Sequence, residues 1–408
     1  IKLGGFFTQV TTDLTMTNCH NNGKIGFTRS VTDGAPGTMY VGGMIGHVVG
    51  SNGETSLFSL INCSNKGELY TSKNIYNKGI LYTGGVAGYV SATSHLSLTN
   101  FSNSGALNFA NKIMDSNIYI GSLSGYLAGD ELTVSGFTND GDITADVTLD
   151  ELSNNTYIGG IIGHNGSKKN NKFENVVNNG DITATGASNR FMFAGIVAST
   201  AYDMTLDSCQ NTGALTLENK QTFNPKHLWY GGILACILDS ENNRTATLNS
   251  CTNSGDITLK NTNVTEMLGV AGIAGQLVYA TNNTYYGTVV ATDCVNEGDI
   301  LVQNSTAGVD TAIGGIVSAT TIGANKDGKT LLYNPTQKGN ITVQHTGTDT
   351  SVHMDVGGLV GIFGQGEITK NAAGTRGSVS GNFKIDSNNA SGPQWRCIGG
   401  VAGEVRGN

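Results

Sequence analysis

Acidic residues recur at one position of the sequence, directly after a glycine. If the chain coils with the spacing of these glycines, Asp142 lies beside Asp181, and Asp256 beside Asp299, on neighbouring turns. Paired carboxylates can perform general acid–base catalysis, and carboxylate oxygens are the ligands that Ca²⁺ prefers. Lysine, alanine, asparagine and serine fill the same position elsewhere, which favours an exposed turn residue. We therefore expect no catalytic, cofactor-binding or metal-binding residue, and calcium at Asp142/Asp181 or Asp256/Asp299 is the alternative.

Cysteines occupy a second recurrent position, four residues before the glycine. Bulky apolar residues such as Phe101, Phe137 and Val176 fill this position in other repeats, which indicates that it is interior and that cysteine acts there as a small hydrophobic residue. No Cys-x-x-Cys occurs and the 7 histidines are scattered singly, so the spacing of zinc ligands is absent. We expect buried free thiols. The set comprises Cys19, Cys63, Cys209, Cys251 and Cys294.

The glycine itself defines a repeat of roughly forty residues, a period typical of stacked repeats. It recurs at Gly23, Gly67, Gly105, Gly141, Gly180, Gly213, Gly255, Gly298, Gly339 and Gly377. We expect it to adopt a positive φ at a bend. Two residues earlier stands an asparagine, which gives way only to Gln337 and Thr375. Asparagines stacked on consecutive turns can form a ladder of side-chain amides, and each can also cap a turn. A ligand-binding row of asparagines is the alternative.

Three strand-like segments occur in each repeat: one before the glycine, one after it, and one that carries Gly-Gly-x-x-Gly, as at 159–163. No segment has a sustained helical period. The sequence therefore predicts an all-β protein, a parallel β-solenoid of about ten coils with three strands each. We expect it to be right-handed. Residues 1–408 would form a single domain, a fragment of a longer chain. Polar loops at 29–38, 73–78, 218–227 and 279–288 would project from it.

Two sets of side chains are expected to face outwards. Thr144, Thr183, Thr216, Thr258 and Thr342 form one threonine column on the strand after the glycine, and flat threonine arrays can bind ordered water or sugars. The double-glycine segment is different, because adjacent apolar residues place bulky groups on both of its faces. The apolar side chains on its outer face must be shielded from water. We expect other parts of the chain to pack against them, and a partner protein is the alternative.

Composition excludes several classes of partner. The formal net charge is -8, and no basic run or arginine stripe is present, so nucleic acid is not expected. No apolar stretch reaches the length of a membrane span, so we expect no membrane-spanning segment.

The alternation of Gly-Gly-Ile-x-Gly with Asn-Cys-x-Asn-x-Gly-Asp-Ile resembles the GLUG-motif repeats of exported bacterial cell-surface proteins. The glycine core matches at 43–46, 85–88, 160–163, 272–275, 358–361 and 400–403, and Ser122 interrupts it. The resemblance implies a surface-exposed β-solenoid. Peptidase activity, which some relatives carry, is not implied, because His-Glu-x-x-His is absent.

We therefore expect a non-enzymatic extracellular or cell-surface structural or adhesive protein. It would be a rigid stalk, filament subunit or adhesin module whose loops bind proteins or surface glycans and whose ends self-associate. A carbohydrate-active β-helix enzyme, a polysaccharide lyase or hydrolase, is the alternative, and it would need acids and bases clustered in one groove. A carbohydrate-binding module is a further alternative.

Overall fold

The computed structural model confirms a parallel β-solenoid. It describes residues 1–27, 37–50, 55–71, 75–77, 79–91, 94–113, 116–149, 154–219, 226–238, 244–260, 264, 267–276, 287–305, 310–319, 328–345, 353–387 and 395–405. No helix occurs among these residues, and their strands pair in parallel with equivalent strands of the neighbouring coils. The spacing between paired strands, about 4.8 Å, sets the rise of each coil.

Each coil passes through four sheets rather than the three predicted. The double-glycine segment is not one strand but two, because the chain bends sharply at the glycines. We number the sheets in the order in which a coil meets them. The first precedes the double glycine, the second follows it, the third precedes the recurrent glycine, and the fourth follows that glycine.

The strands of the first sheet are Lys2–Gly4, Met39–Gly42, Leu81–Gly84, Ile118–Gly121, Asn155–Gly159, Arg190–Ala194, His227–Gly231, Met267–Ala271, Asp310–Gly314, His353–Gly357 and Trp395–Gly399. Those of the second are Phe7–Val10, Ile45–Val48, Ala87–Val90, Ser124–Leu127, Ile162–Asn165, Val197–Thr200, Leu234–Ile237, Ala274–Gln276, Val317–Ala319, Val360–Phe363 and Ala402–Val405.

The third sheet is bent, so that most of its coils contribute a longer and a two-residue strand. Its strands are Leu14–Thr17, His20–Asn21, Ser56–Ile61, Ser64–Asn65, Ser94–Asn103, Glu131–Asn139, Lys169–Glu174, Val177–Asn178, Met204–Asp207, Gln210–Asn211, Thr245–Asn249, Thr252–Asn253, Thr288–Thr292, Val295–Asn296, Thr330–Tyr333, Thr336–Gln337, Gly366–Thr369 and Ser378–Val379. Those of the fourth are Ile25–Phe27, Leu69–Thr71, Ile75–Asn77, Leu107–Ile113, Ile143–Leu149, Ile182–Ala187, Leu215–Glu218, Ile257–Lys260, Ile300–Ser305, Ile341–His345 and Phe383–Ser387.

Two separate hydrophobic cores run along the solenoid. One lies between the second and third sheets and contains Phe58, Phe137 and Ile233. The other lies between the first and fourth sheets and contains Phe193 and other apolar side chains that alternate with outward ones. Each coil therefore has two lobes, which meet at the double glycine on one side and at the recurrent glycine on the other.

Backbones approach each other closely at the double-glycine corner, which favours glycine at its two positions. In the coil of 81–90, a Cβ atom on Gly84 would collide with the carbonyl oxygen of Ala87. A Cβ atom on Gly85 would collide with the side-chain amide of Asn103 and with the backbone of the next coil. Ser122 occupies the equivalent position in the next coil, and its buried hydroxyl has no hydrogen-bond partner within the described residues.

Positive φ does not fall on the recurrent glycine, contrary to our expectation. It falls five residues earlier, at the bend within the third sheet. The residues there are Asn18, Asn62, Asn100, Gly136, Asn175, Ser208, Ser250, Asp293 and Asn334. The recurrent glycine is needed for a different reason, since a Cβ atom on Gly67 would collide with the carbonyl oxygen of Gly23 in the preceding coil.

The register of the last full coil also differs from the prediction. Gly381, and not Gly377, stacks on Gly339. Consequently Val379, and not Thr375, pairs with Gln337. The preceding turn is longer in this coil, and glycines at both positions made the two registers equivalent in the sequence. Most of the loops predicted at 29–38, 218–227 and 279–288, and part of 73–78, lie outside the described residues.

The close contacts at the double-glycine corner predict that the same substitution lowers stability by different amounts at equivalent positions. Replacing Gly232 by Ala would force a methyl group against the Asn253 side chain and the Gly272 carbonyl oxygen. We expect the free energy of unfolding to fall by about 1–3 kcal/mol or more, the usual cost of overpacking. Gly400 is the matched control, because nothing lies within 4 Å of a Cβ atom there. Denaturant titrations that gave Gly232→Ala and Gly400→Ala equal stability would contradict this account.

Candidate functional site

The asparagine column forms a continuous ladder of side-chain amides, as predicted. From Asn21 to Gln337, each Nδ2 group donates to the side-chain oxygen of the next coil over 2.7–2.9 Å. The same nitrogen donates to the carbonyl oxygen of the recurrent glycine two residues later, as from Asn178 to Gly180 over 2.9 Å. The ladder asparagines from Asn65 to Asn296 are each 0% exposed. The ladder is an internal structural element, and no ligand can reach it from solvent.

The acidic column lies at an exposed turn, where its carboxylates cap backbone amides. Asp142 Oδ1 accepts a hydrogen bond from the N–H of Asp181 over 3.0 Å, and Asp256 Oδ1 accepts one from the N–H of Asp299 over 2.9 Å. The predicted pairs are therefore neighbours, but one oxygen of Asp142 and one of Asp256 is already engaged. Among the described residues, no three His, Cys, Asp or Glu side chains form a group that could hold a metal ion. Calcium at either pair stays a prediction.

The cysteine column is interior, as predicted, except in the first coil, where Cys19 is only half-buried. Cys209, Cys251 and Cys294 are 0% exposed, and all seven cysteines are free thiols. The Cys294 thiol donates to the carbonyl oxygen of Leu248 over 3.5 Å. Contact with Cys251, together with burial, raises the pKa of Cys294, so this thiol stays protonated and unreactive at neutral pH.

The predicted threonine column follows the outer face of the fourth sheet in register. Thr144 pairs with Thr183, and Leu301 interrupts the column between Thr258 and Thr342. The neighbouring outward column on the same sheet contains Asp146, Thr185, Glu218, Lys260, Gln303 and Gln344. A second threonine column in register is therefore not present among these residues.

The outer faces of the first and second sheets meet in a concave cleft. Because the chain turns back at the double glycine, outward side chains of the two sheets contact each other. This confirms that the outer side of the double-glycine segment packs within the chain. The first sheet contributes Tyr40, Tyr82, Tyr119, Tyr157, Met192 and Trp229. The second sheet contributes His47, Tyr89, Tyr126, His164, Ser199 and Cys236.

The rings of this aromatic cleft stack along the solenoid axis. Tyr82 and Tyr119 are nearly parallel, with centroids 5.1 Å apart, and Tyr119 and Tyr157 are 4.6 Å apart. Most rings of the first sheet meet those of the second at steep angles, as Tyr119 and Tyr126 do at 77°, whereas Tyr40 and His47 are nearly parallel at 5°. Such edge-to-face contacts add roughly 0.5–1.5 kcal/mol per pair beyond burial. Each coil of this region therefore supports the aromatic side chains of the next.

Burial within the cleft keeps its titratable groups neutral. It raises the pKa of Tyr82, Tyr119 and Tyr126, and it lowers the pKa of His47 and His164 to about 4. The ring of His164 also forms a 2.6 Å hydrogen bond through Nδ1 with Ser199 Oγ. At neutral pH the rings therefore present hydroxyl and imidazole groups without charge.

Sequence reasoning missed this cleft, although its signal is present. An aromatic residue stands two positions before the first glycine of the motif at Tyr40, Tyr82, Tyr119 and Tyr157. The residue directly after the third glycine is His47, Tyr89, Tyr126 or His164. The two sets lie on different strands. They form one surface only because the chain folds back at the double-glycine corner.

Comparisons with known proteins found no match. No protein-family model matches it, and neither a curated protein nor a solved structure is significantly similar to it. Among the described residues, there is no helix of the length and apolarity that a membrane crossing requires.

The ladder predicts a cost for removing one amide from its middle. In the variant Asn178→Leu, the Nδ2 group of Asn139 loses its acceptor and the carbonyl oxygen of Gly180 loses a donor. We expect the free energy of unfolding to fall by roughly 1–3 kcal/mol. Asn178→Gln is the control and should cost less, since Gln337 occupies the same column. An unchanged denaturation midpoint in Asn178→Leu would contradict a buried ladder.

The buried imidazole predicts a dependence of stability on pH. His164 binds a proton in the unfolded chain below about pH 6.5 but in the folded protein only near pH 4, so stability should fall as the pH drops through this window. A shift of this size corresponds to a loss of about 3 kcal/mol. His164→Gln should reduce this dependence, and the part that remains should come from His47, whose pKa is also lowered to about 4.

The control is His20→Gln, because His20 also bonds to a serine of the next coil, Ser64 Oγ, over 2.8 Å but lies exposed on the third sheet. Unfolding titrations between pH 4 and 7 would measure both profiles. A His164→Gln protein with the acid dependence of the wild type would refute the assignment.

Proposed function

We propose that this chain is a non-enzymatic structural and adhesive protein, exported to the bacterial cell surface or the extracellular space. It acts as a rigid stalk or filament subunit, it binds protein partners and surface glycans through its loops, and it self-associates through its ends. The resemblance to GLUG-motif repeats supports the exported location. The observation that carries the proposal is the unbroken amide ladder between Asn21 and Gln337, which ties successive coils into one stiff body.

The two end coils supply the surface for assembly. Among the described residues, the large apolar side chains that are exposed lie almost entirely there: Ile1, Phe6 and Phe7 at one end, and Ile398, Val401 and Val405 at the other. Val401 is 50% exposed and Val405 is 68% exposed. These side chains occupy positions that other coils bury, so a further coil stacked on either end would remove them from water.

A polysaccharide-cleaving enzyme is less well supported. It would require acids and bases grouped on one face across successive coils. The recurrent acids Asp142, Asp181, Asp256 and Asp299 instead lie at a turn, where they accept hydrogen bonds from backbone amides of the next coil. Activity assays on neutral and acidic polysaccharides would detect this alternative directly.

End-to-end assembly predicts that charge in an end coil prevents self-association. In the double variant Val401→Lys/Val405→Lys, two ammonium groups would have to be buried at the contact, which costs far more than it returns. We expect the wild-type protein to form higher-mass species as its concentration rises, and the double variant to stay monomeric in light scattering.

The matched control for this experiment is Leu57→Lys. Leu57 is 48% exposed and apolar, but it belongs to the third sheet in the second coil rather than to an end coil. The control should self-associate as the wild type does. A wild-type protein that stays monomeric at high concentration, or a loss of association in Leu57→Lys alone, would reject assembly through the ends.

A further inference from the structure

The aromatic cleft is open over three successive coils and closed further along. Tyr40, His47, Tyr89 and Tyr126 are half-buried, so part of each ring remains accessible to solvent. Further along the same two columns, Met192 and Trp229 are 0% exposed. The open part therefore extends from the coil of Tyr40 to the coil of Tyr119 and Tyr126, about 10 Å along the axis at the usual strand spacing.

Each of these coils presents the same chemistry to solvent. An aromatic ring from the first sheet faces a tyrosine or histidine ring from the second, with ring centroids 4.3 Å apart for Tyr40 and His47 and 4.9 Å for Tyr82 and Tyr89. Phenol hydroxyls and imidazole nitrogens both donate and accept hydrogen bonds. The cleft thus repeats one amphipathic unit, an apolar ring with a polar tip, on every coil.

One polar atom in the open part lacks a partner. Nδ1 of His47 is buried and has no hydrogen-bond partner within the described residues. A buried polar atom left in this state costs free energy, and in native proteins it usually marks a place that water or a ligand completes.

We propose that the open part of the aromatic cleft binds a neutral glycan chain, with its sugar rings against Tyr89 and Tyr126 and its hydroxyl groups on the phenol and imidazole groups of the cleft. This goes beyond the proposed function, which assigns partners to the loops and the ends.

Three features favour this ligand over others. The aromatic groups of the cleft are neutral at neutral pH, and the ammonium group of Lys2, which precedes Tyr40 in the same column, already donates a hydrogen bond to Gln9. The rings themselves therefore offer no counter-charge to a uronic acid, a phosphate or an acidic peptide. A sugar hydroxyl both donates and accepts, and it therefore matches either tautomer of His47. A proline-rich peptide also docks in aromatic grooves, but proline lacks an N–H donor and satisfies fewer of these groups. A polymer of hydroxylated rings also suits a cleft that repeats along the solenoid.

The test is calorimetric titration of the whole chain with a panel of hexasaccharides. The panel contains neutral glucans, mannans and galactans, a uronic acid oligomer of the same length, and a proline-rich peptide. We expect at least one neutral glycan to bind in the micromolar to millimolar range, and the uronic acid oligomer to bind at least tenfold more weakly.

Two kinds of variant separate binding from folding. Tyr89→Ala/Tyr126→Ala removes the rings and should abolish binding, whereas Tyr89→Phe/Tyr126→Phe preserves the stack and should weaken binding severalfold through loss of the hydroxyl groups. Tyr70→Ala is the matched control, because Tyr70 is also half-buried but lies on the outer face of the fourth sheet. It should bind as the wild type does. Circular dichroism would verify that each variant is folded.

The proposal is overturned if no neutral glycan binds, if the uronic acid oligomer or the peptide binds as well or better, or if the alanine double variant retains binding while folded. The Val401→Lys/Val405→Lys protein should still bind the glycan. Failure of end-to-end assembly and failure of glycan binding are therefore distinguishable.

Discussion

The contact between the amide ladder and the double-glycine corner is the constraint on which this structure depends. The side chain of Asn103 lies against Gly85 so closely that no Cβ atom fits between them. At the first coil, Asn21 also donates to the carbonyl oxygen of Gly43 over 2.9 Å. The ladder therefore runs along the narrow part of the solenoid, and its side chains contact the double-glycine corner on the opposite side of each coil. This contact helps to fix the two hydrophobic cores relative to each other.

The sequence predicts those features that depend on period alone. The asparagine ladder, the interior cysteines and the threonine column each repeat with the coil, and stacking in register is sufficient to place them. The corner was not predictable in this way, because adjacent residues such as Ile161 and Ile162 suggest a strand with two apolar faces. In fact both side chains enter the same core, because the backbone turns between the strand that ends at Gly159 and the strand that begins at Ile162.

Two errors arose from the many roles of glycine. The positive φ falls on a column dominated by asparagine, whose side chain tolerates the left-handed conformation, while the recurrent glycine is selected by close contact between coils. In the last full coil, Gly377 and Gly381 both fit the sequence pattern, and only strand pairing distinguishes them. The cleft escaped prediction because a concave surface is a property of the angle between sheets, which the residue pattern does not contain.

The amide ladder also gives the solenoid a direction. Each side chain donates towards the later coil, from Asn21 at one end to Gln337 at the other, where Val379 offers no amide to continue the series. Dipoles aligned in this way polarise one another in a low-dielectric interior, and they make the two ends chemically different. A contact between unlike ends is heterologous, and it stays open when the bodies stack along one axis. The proposed end-to-end association would therefore proceed head to tail into an open, polar fibre rather than into a two-fold dimer.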